Sequence, residues 1–404
     1  MSKIAFLLSQ SLDSPSGLGR YGPLARELTK FGHTVDIYAL HPAINDLENR
    51  SIETNGVRVH YVAPMHVKKE GDIKSYYSSP QLIKITLDAT WHLSRAAIRN
   101  SADIIHIGKP HPMNSIAGLV ARLINHSDLY LDSDDYEAGS GRFSTRWQKA
   151  IITWFEKWMP QRVNLVTTNT RFMHNKLISW GTPANDIVYL PNGVDSTRFT
   201  PPNPQQLDSL RIKLGLEGKK VIGYIGSLSI PSHPVNLLLE AFHQLQELDP
   251  NSSLVLVGGG EDLARLKILA NKLGISHATR FCGKVPPESV SLYYSLADVS
   301  VDPVYDNDAA RGRSPLKLFE SWACGVPVVT GDVGDRRYLL GDPAAGILSH
   351  PGDPNSLSAA IHRIIKDPGL ADELRTRGLE RVKSFTWDHL AKKLNQIYLE
   401  RSAN

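Results

Sequence analysis

The sequence predicts an α/β fold of two doubly wound domains, and three observations carry the prediction. Short apolar, β-rich runs alternate with helix-length segments from one end to the other, the pattern of βα units around parallel sheets. At 404 residues the chain exceeds what one hydrophobic core ordinarily serves. A proline-rich stretch near the middle separates two series of such units.

The first series of strand-like runs is Ile4–Leu8, Val35–Ala39, Ile104–Ile107, Leu129–Leu131 and Leu165–Thr168. The second is Val221–Ile225, Leu254–Val257, Arg280–Cys282, Val299–Val301 and Val326–Thr330, with helical patterns such as Val235–Leu248 and Glu261–Leu273 between them. Between the series lie Leu190-Pro191-Asn192-Gly193-Val194-Asp195 and Pro201-Pro202-Asn203-Pro204, which place a hinge near Asn192 to Pro204. The expected domains are therefore 1–195 and 196–384. A last helix, about Trp387 to Glu400 within 385–404, carries Leu390, Leu394, Ile397 and Tyr398 on one face and needs a surface to cover.

Apolar residues make up 41% and charged residues 21%, an ordinary globular composition that excludes a mostly disordered chain. A net charge of +4 is mild and argues against nucleic acid as the main partner. Cys282 and Cys324 lack metal-ligand spacing and suit reduced core thiols, in keeping with a cytoplasmic protein. The apolar run at the N-terminus is too short for a signal peptide, and no stretch suggests a membrane span.

The strongest chemical signal is Gly312-Arg313-Ser314-Pro315-Leu316-Lys317-Leu318-Phe319-Glu320. Ser314 reads as an N-cap, Pro315 as the first helical residue and Gly325 as the stop. Lys317 stands where a capping box would have Glu or Gln, in a first turn where the helix dipole disfavours a cation. A bound anion reverses that sign, so the exposed amides with Lys317, Arg311 and Arg313 suit a diphosphate. Glu320 lies one turn on, where its carboxylate can accept from sugar hydroxyls. A plain surface helix with scattered charges gives the same pattern.

The second signal is Ser16-Gly17-Leu18-Gly19-Arg20-Tyr21-Gly22, which follows the first strand and opens a helix to about Phe31. Glycines there let the backbone approach a phosphate or sugar, although a simple turn and cap uses the same residues. The spacing is not the dinucleotide fingerprint, which argues against a nicotinamide cofactor. His106, Lys109 and His111 end the third strand, where open α/β sheets place ligand loops. The histidines suit loop or core positions equally well.

In order and spacing these segments resemble the retaining GT-B glycosyltransferases of family 4, also called group 1. The matching pieces are Gly17-Leu18-Gly19, Gly32-His33-Thr34-Val35, Pro191-Asn192-Gly193-Val194-Asp195, Gly223-Tyr224-Ile225-Gly226-Ser227, Leu256-Val257-Gly258-Gly259-Gly260, Phe281-Cys282-Gly283-Lys284-Val285, Leu316-Lys317-Leu318-Phe319-Glu320 and Gly331-Asp332-Val333-Gly334. The resemblance implies two Rossmann-like domains facing a central cleft. It implies that the C-terminal domain binds the nucleotide sugar, with the base near Lys284 and Val285, the ribose on Glu320, and phosphate near Gly226, Ser227 and the Ser314, Pro315 and Leu316 turn. It further implies that the N-terminal domain supplies Gly17, Leu18, Gly19 and the acceptor site, that the last helix packs back on that domain, and that no metal or other cofactor is needed. The donor is then UDP- or GDP-linked and the acceptor a glycan, a lipid-linked molecule or a small molecule.

The sequence departs from the family at several positions. Gly312 stands where a first glutamate is common, and Ser227 with Ser232 or His233 stand where Arg and Lys often grip phosphate. The charge must then come from Arg311, Arg313 or Lys317, which makes Lys317, Glu320, Arg313 and Asp134 the catalytic candidates. Asp134, in the run Asp132-Ser133-Asp134-Asp135-Tyr136, aligns with a histidine that faces the donor sugar in the family. With Lys109 and His111 it is expected to meet sugar or acceptor hydroxyls rather than a metal.

Residues 142–162 combine Trp147, Ile151, Trp154, Phe155 and Trp158 with Arg142, Arg146, Lys149 and Lys157. This pattern suits peripheral contact with an anionic membrane on its inner face, or a domain helix whose aromatics are core. A sugar-nucleotide epimerase on the same scaffold, or a partner subunit without chemistry, remain alternatives to transfer.

Overall fold

The computed structural model describes residues 1–70, 73–139, 145–200 and 202–402. The chain divides into two compact units: Met1–Asn192 with Gly312–Ser314 and the C-terminal segment from Trp387, and Gly193–Arg311 with Pro315–Thr386. Pro201 of the linker, and Gly141 and Arg142 ahead of the aromatic helix, lie outside the described residues.

The first unit contains β1 (Lys3–Leu8), β2 (Thr34–His41), β3 (Ser51–Thr54), β4 (Val57–Pro64), β5 (Val67–Glu70), β6 (Ile73–Tyr76), β7 (Ile104–Gly108), β8 (Asp128–Ser133), β9 (Leu165–Thr168) and β10 (Ile187–Tyr189). Eight of them form a sheet in the order β10-β9-β8-β7-β1-β2-β4-β3, parallel except where β3 meets β4, while β5 and β6 make a separate antiparallel hairpin. β1 sits at the switch point, pairing Ile4 with Val35 on one side and with Ile104 on the other. Its residues Ile4 to Leu8 are all buried, as an apolar strand covered on both faces must be.

One face of this sheet is covered by helix Gly22–Thr29 and the last helix, Trp387–Ser402, through Leu24, Leu28, Trp387, Leu390, Leu394 and Tyr398. The Tyr398 hydroxyl shares a 2.8 Å hydrogen bond with His106 Nδ1, and Asn395 Oδ1 lies 2.7 Å from His33 Nε2. The apolar stripe of the last helix is thus the lid of this core. Helices Ser79–Asn100 and Pro112–Asn125 cover the other face with Ala89, Leu93, Ala97, Met113, Ala117 and Ala121.

The second unit holds β11 (Lys220–Ile225), β12 (Ser252–Val257), β13 (Thr279–Gly283), β14 (Val299–Asp302), β15 (Val328–Gly331) and β16 (Ile347–Ser349). Their order is β13-β12-β11-β14-β15-β16, every pair parallel. This is the doubly wound order that reverses between the first and fourth strands, and such sheets bind ligands where it reverses. The crevice beyond β11 and β14 is therefore the first place to look for chemistry.

The continuous apolar runs read from the sequence fall on strands, except that Val326 and Pro327 precede β15. β3, β4, β5, β6, β10 and β16 were not among those strands: β3 is exposed throughout, β4 alternates buried residues with more exposed ones, β5 and β6 are four-residue strands of a hairpin apart from the main sheet, and β10 and β16 span three residues each.

Candidate active site

In the second unit, β11 ends at Ile225 and Gly226 turns the chain over the end of β12. The Gly226 N–H donates to the Val257 carbonyl at 2.9 Å, and the Leu228 N–H to that of Gly259, also at 2.9 Å. Gly258 makes this approach possible, because a Cβ there would lie 1.8 Å from the Gly226 carbonyl oxygen. The Gly258 N–H in turn donates to Gly283 at 2.8 Å, so the residues that follow β13, Lys284 and Val285, share the same sheet edge as Gly226 and Ser227. Lys284 and Ser227 are exposed and Val285 is half-buried.

Lys317 lies in the first turn of helix Leu316–Ala323 and is buried. Its Nζ is 3.6 Å from Asp302 Oδ1, 3.5 Å from His233 Nδ1 and 5.1 Å from the centre of the Tyr224 ring. The other oxygen of Asp302 is held by Arg336, with Nη2 at 2.9 Å and Nε at 3.1 Å, and accepts from Thr330 Oγ1 at 3.1 Å. Burial alone would raise the Asp302 pKa, but Arg336 and Lys317 hold it below the ordinary value. Two cations thus face one carboxylate, with Glu320 one turn away on the same helix as Lys317.

Glu320 stands one turn beyond Lys317. Its Oε2 accepts from the buried Tyr294 hydroxyl at 2.7 Å, and burial raises its pKa against the opposing pull of that bond, Lys317 and Arg198. The bond to Tyr294 fixes the carboxylate and leaves its other oxygen for a further donor.

The start of this helix corrects the sequence expectation. Pro315, not Ser314, is the N-cap, and Leu316 is the first helical residue. Pro315 itself has extended backbone, φ −79° and ψ 103°, so the helix begins one residue later than a serine cap would set it. The Ser314 side chain is used elsewhere: the Asn192 N–H donates to its Oγ at 3.2 Å, and Asn192 Nδ2 donates to its carbonyl at 3.0 Å. Arg311 is exposed and paired with Asp306 at 2.8 Å and Asp308 at 3.6 Å, contacts weak enough in water to be exchanged. Arg313 is half-buried.

In the first unit, Gly17, Leu18 and Gly19 form a widened turn in which the Gly22 N–H reaches back to the Gly17 carbonyl. A Cβ at Gly17 would lie 2.5 Å from Leu12 Cα, so close backbone packing requires glycine there. The same turn carries Arg20, which the sequence reading assigned no role. Arg20 is buried and donates to both oxygens of Asp132, Nε at 2.6 Å and Nη2 at 2.7 Å. Its Nη1 donates to Leu190, Pro191 and Asn192, and its guanidinium lies 5.8 Å from the Trp387 ring centre. Asp132 also accepts from Thr167 at 2.6 Å. The first acid of the acidic run is therefore a tie between strands.

Asp134, Lys109 and His111 do come together. Lys109 has φ +70°, and its buried Nζ is 3.4 Å from Asp134 Oδ1, 2.9 Å from Asp135 Oδ2 and hydrogen-bonded to Glu137. His111 Nδ1 is 2.8 Å from Ser9 Oγ, and its Nε2 is 3.9 Å from Glu137. Asp134, Asp135 and Glu137 are close enough to share a cation, and the Lys109 ammonium already sits against all three. Burial, with Asp135 and Asp132 adding to it and Lys109 opposing, raises Asp134 to about 7. Burial lowers His106 to about 4, and that ring packs on Phe6 as a core residue.

Asp302, Arg336, Tyr294 and Arg20 were missed in the sequence. Asp302 closes a strand at the switch point and was legible as such. Arg336, Tyr294 and Arg20 join partners 34, 26 and 112 residues away, which no local pattern signals.

Among the described residues no helix is long and apolar enough to cross a membrane. Residues 23–198 match the model described as Glycosyltransferase Family 4, and residues 208–381 the model described as Glycosyl transferases group 1. The D-inositol 3-phosphate glycosyltransferase of Corynebacterium jeikeium is 31% identical over 53% of this chain and 52% of its own length. The GDP-mannose-dependent alpha-(1-6)-phosphatidylinositol monomannoside mannosyltransferase of Mycolicibacterium smegmatis is 28% identical over 53% of this chain and 56% of its own. The chain thus spans about half the length of the curated relatives it matches. The sucrose-phosphate synthase of Thermosynechococcus elongatus superposes over 100% of both chains with a TM-score of 0.79 at 20% identity, a likeness of fold. With its two sheets and the two family models that between them span most of its length, the chain belongs to the group 1, family 4 glycosyltransferases of GT-B fold.

Proposed function

We propose that the chain transfers a sugar, with retention, from a UDP- or GDP-linked donor to an acceptor hydroxyl. The observation that carries this reading is the buried Lys317, in a helix's first turn at the β11/β14 switch point, beside Asp302 and His233 and one turn before Glu320. A departing diphosphate develops negative charge that an ammonium and first-turn amides at this position stabilise.

In this reading Lys317 and the helix amides hold the diphosphate, with Arg313 and Arg311 adding charge as the donor arrives. Glu320, steadied by Tyr294, accepts from the ribose hydroxyls, and the backbone around Lys284 and Val285 meets the base. As the bond from the anomeric carbon to the phosphate oxygen breaks, the acceptor oxygen bonds to that carbon from the same face, and its proton passes to the departing phosphate. The cation that metal-dependent transferases use is replaced by Lys317, so turnover is expected to survive a chelator.

Gly17, Leu18 and Gly19 present backbone to the sugar, and Asp134 meets its hydroxyls. Lys109 is already held by three carboxylates, so this cluster has no spare positive charge for a phosphate. That favours a glycan or lipid-linked acceptor whose reacting sugar is unphosphorylated. We further propose a cytoplasmic location, with peripheral contact to an anionic membrane through residues 142–162.

The test is titration calorimetry with UDP, GDP and their sugars, followed by mass spectrometry and anomeric NMR of the product from the donor that binds. Retention of the donor's anomeric configuration in a new glycoside supports the reading. Absence of binding to any nucleoside diphosphate defeats it.

A further inference from the structure

Helices Ser79–Asn100, Pro112–Asn125 and Arg146–Trp158 of the first unit leave apolar side chains in solvent that the proposed chemistry does not use. Ala89, Leu93 and Ala97 of the first helix, Met113, Ala117 and Ala121 of the second, and Trp158 at the end of the third join one core against one face of the sheet. The middle helix packs against both others. Their outer faces therefore look away from the sheet together.

Those outer faces are apolar at helical spacing. Ile83, Leu87 and Trp91 follow one another at intervals of four, and Leu87 and Trp91 are 66% and 65% exposed. The middle helix shows Ile116, Leu123 and Ile124, with Leu123 77% exposed, and the third shows Trp147, Ile151 and Trp154. Monomeric proteins rarely leave such a patch in water unless it meets a partner.

Charge selects the partner. The exposed charged side chains on the three helices are Lys84, Arg95, Arg99, Arg146, Lys149 and Lys157 against Asp88 alone. The whole chain, by contrast, is nearly balanced, with 45 basic and 41 acidic residues. A second copy packed on this face would set like charges against each other. Tryptophan and leucine among lysine and arginine match a surface of acyl chains beneath anionic headgroups.

We propose that all three helices together dock on an anionic lipid bilayer, with Leu87, Trp91, Leu123 and Trp154 entering the headgroup region and the six cations facing lipid phosphates. This widens the contact proposed above for residues 142–162. It needs neither donor nor acceptor, so it stands or falls apart from the transfer reaction.

The experiment is cosedimentation of the full chain with vesicles of phosphatidylcholine, with and without phosphatidylglycerol, and no nucleotide sugar present. Binding is expected only with phosphatidylglycerol, and it is expected to weaken as salt is raised. The pair Leu87→Glu and Trp91→Glu, on a helix outside 142–162, is expected to lower partition at least about tenfold. Lys84→Glu with Arg95→Glu alters exposed side chains alone, keeps the fold, and is expected to act in the same direction. Melting temperature and calorimetric donor affinity of each variant are expected to match the unmodified chain. Three results would overturn the proposal: no binding to phosphatidylglycerol vesicles, unchanged binding by both variant pairs, or self-association lost in those variants with no vesicle binding.

Discussion

Gly226 and Lys317 are packed so closely that a methyl group on Gly226 would lie 2.8 Å from Lys317 Cε and 3.2 Å from its Nζ. The turn after β11 and the cation of helix Leu316–Ala323 therefore set each other's positions. Gly226→Ala is expected to move the ammonium while leaving the sheet intact. Turnover should fall about 10- to 100-fold, and the melting temperature should fall as well, because a side chain at Gly226 must take up φ +158° and crowds the Tyr224 hydroxyl at 3.1 Å. Steady-state kinetics beside a thermal melt checks this.

Removing the ammonium itself goes further. Lys317→Ala takes away the charge nearest the proposed diphosphate, while Asp302 keeps Arg336 and Thr330 as partners. The expected result is a loss of roughly 10²- to 10³-fold in kcat, the range seen when one electrostatic contact to a departing group is deleted. Lys317→Arg is expected to recover part of it. A rate for the alanine variant equal to the unmodified chain would take Lys317 out of the site.

The Arg20 and Asp132 pair predicts stability rather than rate. Both side chains are buried, so Arg20→Met strands a carboxylate that keeps the Thr167 hydroxyl but no longer has the guanidinium. Denaturant unfolding should show a loss of about 3–5 kcal/mol near neutral pH, the cost of breaking a buried pair from one side. Burial would raise Asp132, yet Arg20 holds its pKa below the ordinary carboxylate value. Stability from this pair is then present above the unfolded carboxylate pKa and lost as pH falls through the lower folded value. The variant and the unmodified chain should therefore converge in acid.

Asp134 has the opposite sign. Its folded pKa, raised from 3.8 to about 7, means that the folded state holds a proton the unfolded state has already released between those values. Its contribution to stability is present below the lower value and is lost as pH rises to the upper one. A melting-temperature profile should slope downward across that window, and Asp134→Asn should flatten it. If Asp134 also meets the donor sugar, the variant should raise KM as well.

Glu320 depends on Tyr294 for its orientation. Tyr294→Phe removes a 2.7 Å hydrogen bond but no charge, so nucleotide affinity should drop by about tenfold, within the range for a hydrogen bond to a charged group. Glu320→Gln should weaken binding as well. Calorimetry with the nucleoside diphosphate reads both, and an unchanged affinity for either variant would remove the ribose role.

What the sequence determined alone follows from local chemistry. Continuous apolar runs such as Ile4–Leu8 and Leu254–Val257 must be covered on both faces, so they marked the central strands and with them two doubly wound units. Glycines such as Gly17 and Gly258 stood in the sequence where backbones touch in the structure. Lys317 was conspicuous as a cation in a first turn that disfavours one. Contacts between distant segments were decided only by the tertiary structure. It gave Ser314 to Asn192 and the cap to Pro315, set Asp302 between Lys317 and Arg336, and turned Asp132 into the partner of Arg20. The reason is physical: a strand's burial is written in its own side chains, whereas the charge state and free valence of a buried polar group depend on whichever residues folding brings against it.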